Sequence, residues 1–586
     1  MSRADRFGDF EYEIVGDTVT ITDYYDGPED TISIPESIEG LAVTVLGERA
    51  FESAGLFREI IIPDSVVSIR REAFANSFFE KIRIGKSVNE LGEGVFDLAF
   101  RLEEILVDDA NVAFISENGI LFSKDKTTLI KVPSEGFRGD QYEIPNTVES
   151  IGRGAFELVK ISSVSIPGGV VSIGENAFRW ADRLLSISLP ASVLTIGEGA
   201  FWGTERLLSF DVDLDNEYFS SEAGVLYNKS KTVLLNYSTG KDEPREFTVP
   251  PGVETIAANA FVSCRLERIN LADTTTSIGD SAFAWCENLI QLVFSTNLND
   301  IGENVFFNCD ALEAIDVPEG NLDFSSMDGV LFNGALTGLI RYPPAKDSDI
   351  FTVPSTVTWI GDAAFGQAKS IINVSLPTSL LSIGKEAFQG CRQLSGMVIP
   401  AGVTRIENDT FRECADFVEV TLPETIVFLG DRVFSDCSDL RTITWSDNIE
   451  SIGHSAFKGC FNLLEITIPP KVSDIRDSTF SGCVNLETVE LPEGLTRIGE
   501  NAFGRCENLT SIQLPQSLEI MGDSVFFSCK RLAAIVIPAK VTSIGDSAFS
   551  VCWALKTVEV QGQISYLGMR AFQQCRELQS IALNGD

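Results

Sequence analysis

The chain has 586 residues, with 85 acidic against 45 basic side chains and a formal charge of −40. That field repels a phosphate backbone, so nucleic acid is not an expected partner, while basic ligands are attracted. No run of about 18 apolar residues suggests membrane insertion, and Met1-Ser-Arg-Ala-Asp-Arg lacks the apolar stretch of a secretory signal.

Residues 1–45 read as an N-terminal β cap, because Phe10 to Asp23 alternates apolar and polar around the turn pair Gly16-Asp17. From there a phenylalanine recurs nineteen times at one register, usually inside Ile-Gly-x-x-Ala-Phe, from Phe51, Phe74 and Phe96 to Phe549 and Phe572. A unit of about 23 residues cannot enclose its own apolar face, so the copies must stack and share one interior. In the sample coil, Leu463, Ile466 and Ile468 alternate with polar residues, and Pro469 ends that strand. Val472 and Ile475 supply a second edge, and Asp477-Ser-Thr-Phe480 reads as a turn or a single helical turn. The glycine four before phenylalanine is present in fifteen copies but replaced by Arg70, Ala257, Glu407 and Arg476, so a positive φ is not expected there.

Residues 46–364 interrupt the period with gaps of 60, 60 and 59 residues, which hold three long units at about 107–150, 213–255 and 318–359. Their related segments start at Phe114, Phe219 and Phe324, carry turn glycines Gly119, Gly224 and Gly329, and lie 105 residues apart. Each reads as a β-hairpin inserted into, or widening, a coil. Residues 365–586 hold ten regular 23-residue repeats and end at Leu583-Asn-Gly-Asp, an expected uncapped coil that suits self-association. The expected class is a β-rich α/β solenoid.

The consensus Leu-x-x-Ile-x-Ile-Pro-x-x-Val-x-x-Ile-Gly-x-x-Ala-Phe-x-x-Cys, seen at Leu509 to Pro515 and Ile544 to Cys552, resembles the BspA-like leucine-rich-repeat family. Asp328 to Phe332 is similar to that family's long variant. The resemblance implies a curved, right-handed stack with a parallel sheet, often on microbial surfaces, where members bind host, matrix or partner-cell proteins. It implies no catalytic residue and no cofactor. The extracellular or cell-surface location it implies competes with a cytoplasmic one, since no signal peptide stands in this chain.

All twelve cysteines lie three residues after a repeat phenylalanine, where other copies have small residues such as Ala54, Ser77 and Thr204. A column of free interior thiols is therefore expected, and the spacing matches no compact metal site. The slot three before phenylalanine is acidic in twelve copies and holds the single histidine, His454. The acidic side chains are expected to cap the following turn; stacked carboxylates able to collect Ca²⁺ are the other reading. A lone imidazole has no nucleophile to serve, so no enzyme is expected.

Two surfaces are candidates for partner binding. Thr421, Thr444, Thr467, Glu490 and Gln513 should form an outward row along the sheet, where they either pair across strands or meet a protein ligand. Trp180 and Trp202, with Trp285, Phe307 and Phe527, follow repeat phenylalanines where most copies are polar or small; they either pack on an inserted hairpin or mark a binding hot spot. The expected function is non-enzymatic recognition of a protein ligand through an extended surface. A self-assembling scaffold joined through the C-terminal coil is the alternative.

Overall fold

Alternation sets the smallest element. In a computed structural model that describes residues 5–25, 30–241 and 245–583, Leu463, Ile466 and Ile468 are buried while Glu465 and Thr467 face solvent. Glu465–Thr467 is thus a strand with one inward face. After the corner at Pro469, Val472 and Ile475 turn inward and Asp474–Ile475 makes a second, two-residue strand. The third side is the turn that carries Phe480 and Cys483 into the interior.

Each side bonds to the same side of the following coil. Glu465–Thr467 runs parallel to Thr488–Glu490, and Asp474–Ile475 to Arg497–Ile498. On the turn side, Phe480 N donates to Ala502 O and Gly482 N to Gly504 O, both at 2.8 Å. A coil therefore leaves few backbone groups unpaired on any wall, which is how so short a unit satisfies its peptide groups.

The helical part of the expected α/β class is absent among the described residues. The cause lies in the turn, because the residues two before and two after every repeat phenylalanine have positive φ, as at Ser478 (57°) and Gly482 (77°). A right-handed helix cannot run through such residues. The glycine four before phenylalanine has ordinary φ, as expected, and is selected by closeness instead. A Cβ on Gly453 would lie 2.4 Å from Asp431 N and from the carbonyl carbon of Gly430 in the preceding coil.

The chain divides into two compact units, Met1–Leu289 with Asn299–Cys309, and Ile290–Leu298 with Asp310–Asp586. In the first, Phe10–Val15 pairs antiparallel with Thr18–Tyr24, which runs parallel to Leu41–Leu46 and onward to Ser68–Ile69 and Glu90–Leu91. A second wall is built from Thr31–Ser33, Glu59–Ile61, Lys81–Ile84 and Glu104–Val107. Two long units belong here. Phe114–Glu117 is antiparallel to Ile120–Ser123, which is antiparallel to Thr128–Lys131, and this third strand lies parallel to Ser150–Ile151. Phe219–Glu222, Val225–Asn228 and Val233–Tyr237 repeat the pattern against Thr255–Ile256.

The second unit opens with the same arrangement, Phe324–Met327, Val330–Asn333 and Gly338–Arg341 against Trp359–Ile360. Regular coils follow to Ser580–Leu583, which pairs with Thr557–Val560. The final residues of the expected uncapped coil, 584–586, lie outside the described residues.

Of the nineteen repeat phenylalanines, eighteen are buried and Phe572 is half-buried. Their rings stack coil on coil, with centroids 5.4 Å apart for Phe434–Phe457, Phe457–Phe480 and Phe480–Phe503. Tyr237 and Tyr342 of the long units occupy the same column, stacking on Phe261 at 5.2 Å and on Phe365 at 5.0 Å. Val132 fills that place in the first long unit and has no ring to offer.

The entrance to each long unit is fixed by a side-chain amide that the sequence reading missed. Asn111 Nδ2 donates to Gly85 O and Val88 O, and its Oδ1 accepts from Ala113 N and Phe114 N, all within 2.8 to 2.9 Å. Asn216 and Asn321 repeat the four bonds. Their 105-residue spacing was the available signal.

Candidate functional site

The outward strand row is built by the alternation that buries its neighbours. Thr421, Thr444, Thr467, Glu490 and Gln513 are all exposed. Thr421 lies opposite Thr444, and Thr467 opposite Glu490 with its hydroxyl donating to Glu490 Oε2 at 3.0 Å. Gln513 lies outside the strands. A second outward row, Glu419, Thr442, Glu465 and Thr488, runs beside the first. The wall is therefore polar, small-residue and acidic, with Val398 as an exposed apolar member.

The aspartates of the acidic slot bond the next coil rather than their own turn. Asp431 Oδ1 accepts from His454 N at 2.7 Å, Asp477 Oδ1 from Glu500 N at 2.9 Å, and Asp523 Oδ1 from Asp546 N at 2.7 Å. Each carboxylate thus clips the next coil at the same slot, which satisfies a backbone donor between rungs. His454 sits exposed in this column with Nδ1 3.6 Å from Asp477 Oδ2. Among the described residues no group of three or more His, Cys, Asp or Glu side chains is arranged to hold a metal.

The thiols form the interior column expected of them, eleven buried and Cys575 half-buried. Their bonding was not foreseen. Cys414 Sγ donates to Phe388 O and Cys483 Sγ to Phe457 O, both at 3.1 Å, so the sulfur of one coil bonds the phenylalanine carbonyl of the coil before. Burial pushes Cys391, Cys483 and Cys552 up to about 12, the reverse of what a nucleophile needs. Where the slot holds Ser77 or Thr204, the hydroxyl bonds the carbonyl of Phe74 or Phe201 in its own coil.

The long units interrupt the turn wall of the first compact unit at two junctions. At the first, between the coils of Phe96 and Phe156, the gap is filled with charge. The fully buried carboxylate of Glu157 is paired with Arg179, lies 3.4 Å from Lys131 Nζ, and accepts from Leu98 N across the junction at 2.8 Å. Arg153 bonds Asp97 at 3.0 Å and Glu175 at 2.7 Å beside it. Lys131 Nζ also donates to Gly154 O at 2.8 Å. Every charge in the cluster thus has a partner, as burial requires.

The second junction, between the coils of Phe201 and Phe261, lacks these groups. The places of Asp97, Arg153 and Glu157 are taken by Trp202, Ala258 and Val262. This junction borders an open cleft of about 470 Å³, with Trp180 and Trp202 on one side and Ser263, Arg265 and Trp285 on the other. The two candidate tryptophans are brought together, with ring centroids 6.1 Å apart and Arg179 over both at 5.4 and 5.7 Å. Trp180 leans across Gly203, where a Cβ would lie 2.0 Å from its Cδ1. Trp285 pairs edge-on with Phe307 at 5.6 Å.

Trp180 (φ 56°) and Trp285 (φ 60°) hold the left-handed turn position that Gly390, Gly459 and Gly482 fill elsewhere. A bulky side chain there costs about 1–2 kcal/mol in backbone energy. Both rings keep part of their surface in solvent, 37% and 42% exposed.

A family model described as "BspA type leucine rich repeat region (6 copies)" matches residues 30–136, 126–231, 240–333, 347–464 and 450–579. Comparison with curated proteins gives no match. Among solved structures, a leucine-rich repeat protein from Eubacterium ventriosum is 18% identical, with 70% of this chain and 92% of that one covered and a TM-score of 0.41. A leucine rich cell surface protein from Faecalibacterium prausnitzii is 21% identical, covering 84% and 95%, with a TM-score of 0.34. The T. pallidum leucine rich repeat protein is 27% identical, covering 33% and 90%, with a TM-score of 0.29. Among the described residues no helix is long and apolar enough to cross a membrane.

Proposed function

Because the chain belongs to the BspA-type leucine-rich-repeat family, we propose that it is a non-enzymatic protein-binding scaffold working in adhesion or recognition at a cell surface. The observation that carries this reading is the exposed row Thr421, Thr444, Thr467, Glu490 and Gln513, with its parallel neighbour row, on successive rungs of one wall. Rungs about 4.8 Å apart give a partner a regular array of hydroxyls and carboxylates, fixed by the stack and requiring little ordering on binding. The relative described as a cell surface protein agrees with that location.

The test is a capture experiment on the intact chain with Thr421→Arg, Thr444→Arg and Thr467→Arg combined. A partner that uses this wall is retained by the wild type, identified by mass spectrometry, and lost from the variant while thermal unfolding is unchanged. Equal retention by the two proteins counts against the strand wall.

A further inference from the structure

We propose that the cleft at the second junction binds a lysine or arginine side chain from a basic segment of a protein partner. This rests on the protein-binding reading and gives it a second, chemically distinct contact. The first support is comparison within the chain: equivalent places 105 residues apart hold the ion pair of Asp97 and Arg153 at one junction and Trp202 and Ala258 at the other, so the second junction borders its cleft with an indole where the first has a paired charge.

The second support is the chemistry of the walls. Three exposed or half-exposed indoles border the cleft, with Glu205 and Glu287 on its rim. Both carboxylates are exposed. Arg265 also lies on the rim and is engaged in interactions of its own. Ring faces and carboxylates together select a cation over a neutral apolar group. Arg179 shows the preference in place, since its guanidinium lies over Trp180 and Trp202 while paired to Glu157. The charge of −40 then concentrates basic segments near the opening.

The third support is conformational. Trp180 and Trp285 hold a left-handed turn position that Gly390, Gly459 and Gly482 fill in other coils, with their rings 37% and 42% exposed. This supplies a variant that keeps the fold. Trp285→Gly relieves the backbone and removes the ring.

The test uses the whole chain and a blocked heptapeptide, Gly-Arg-Gly-Lys-Gly-Arg-Gly, followed by intrinsic tryptophan fluorescence at physiological salt. The expected result is saturable change for the wild type, about tenfold weaker binding for Trp285→Gly, and weaker binding for Glu287→Gln but not for Glu465→Gln on the strand wall. The same peptide with citrulline and norleucine in place of arginine and lysine should not bind. The proposal is overturned by no saturable change in the wild type, by equal affinity of Trp285→Gly, or by equal losses for Glu287→Gln and Glu465→Gln, which would reveal only diffuse attraction. It is also overturned if the uncharged peptide or a neutral hexasaccharide binds as well as the basic peptide. Since the Thr421, Thr444 and Thr467 variants leave the cleft intact, failure here leaves the capture result on the strand wall standing, and the reverse.

Discussion

Removing one ring from the middle of the column measures how far the coils depend on each other. Phe457 is fully buried, with Phe434 stacked on one side and Phe480 on the other, both at 5.4 Å, and Trp445 edge-on at 5.8 Å. Phe457→Ala removes the burial of the largest inward group and leaves a cavity between two rungs, at a cost of about 3–5 kcal/mol. Three ring neighbours place it near the top of that range, since each aromatic pair adds about 0.5–1.5 kcal/mol beyond burial. Phe572 has one stacked neighbour, Phe549 at 5.4 Å, and is half-buried, so Phe572→Ala should cost about half as much. In a stack whose stability is a sum of coil and nearest-neighbour terms, the central loss should uncouple the coils on its two sides. The assay is denaturant unfolding of both variants, with hydrogen exchange read along the chain. Phe457→Ala should show a lower midpoint and faster exchange at Phe434 and Phe480 N–H, which bond Ala456 O and Ala502 O. Equal costs for the two variants, or protection unchanged around Phe457, would refute the argument that the rings carry coil-to-coil coupling.

Two further outcomes follow from buried chemistry. Cys391, Cys483 and Cys552 titrate near 12 when folded against about 8.5 when unfolded, so the unfolded chain loses protons first and stability falls as pH rises from about 8.5 toward 12. Between pH 8 and 10 each such thiol should contribute about 2 kcal/mol of loss, read by denaturant unfolding under a phosphine reductant; a flat profile would contradict it. Glu157→Gln strands Lys131 and Arg179 without their buried counter-charge and should cost about 3–5 kcal/mol, with faster exchange at Leu98 N–H, whereas a neutral result would show that water already reaches the cluster.

Stacking and core were legible because they depend on what repeats. A phenylalanine that recurs nineteen times at one register and a small residue three places on need only one interior to explain them, and the rings and thiols are found there. Features set by backbone conformation were hidden. The two left-handed turn positions hold Ser, Asn, Gln, Arg, Trp and Gly among others, so composition gives no cue, and a brief helical turn seemed as good a reading of Asp477 to Phe480. Bonds between coils were equally obscure. A carboxylate before a turn suggests a cap, yet Asp477 reaches its counterpart's N–H 23 residues on, because parallel stacking places that donor closer than its own turn's. The placement of Thr421, Thr444 and Thr467 on one exposed wall followed from alternation alone. The placing of Trp180 and Trp285 on one cleft did not, because it required knowing that the extra residues of the second long unit enter the ladder between their coils.

The long units also show why a solenoid can acquire a local site without losing its core. A third strand such as Val233–Tyr237 takes a rung in the column of two-residue strands, and Tyr237 N bonds Ala260 O at 2.8 Å as a repeat phenylalanine would. The interior thus accepts the insertion as one more coil. On the outside of the turn no such rule operates, because nothing there must match a neighbour's side chain for the stack to close. At equivalent places the first junction holds Asp97 paired with Arg153 and the second holds Trp202 and Ala258, on the same backbone scheme. Surface chemistry at a junction can therefore vary at little cost to the interior, whereas one missing ring in the column should be felt on both sides.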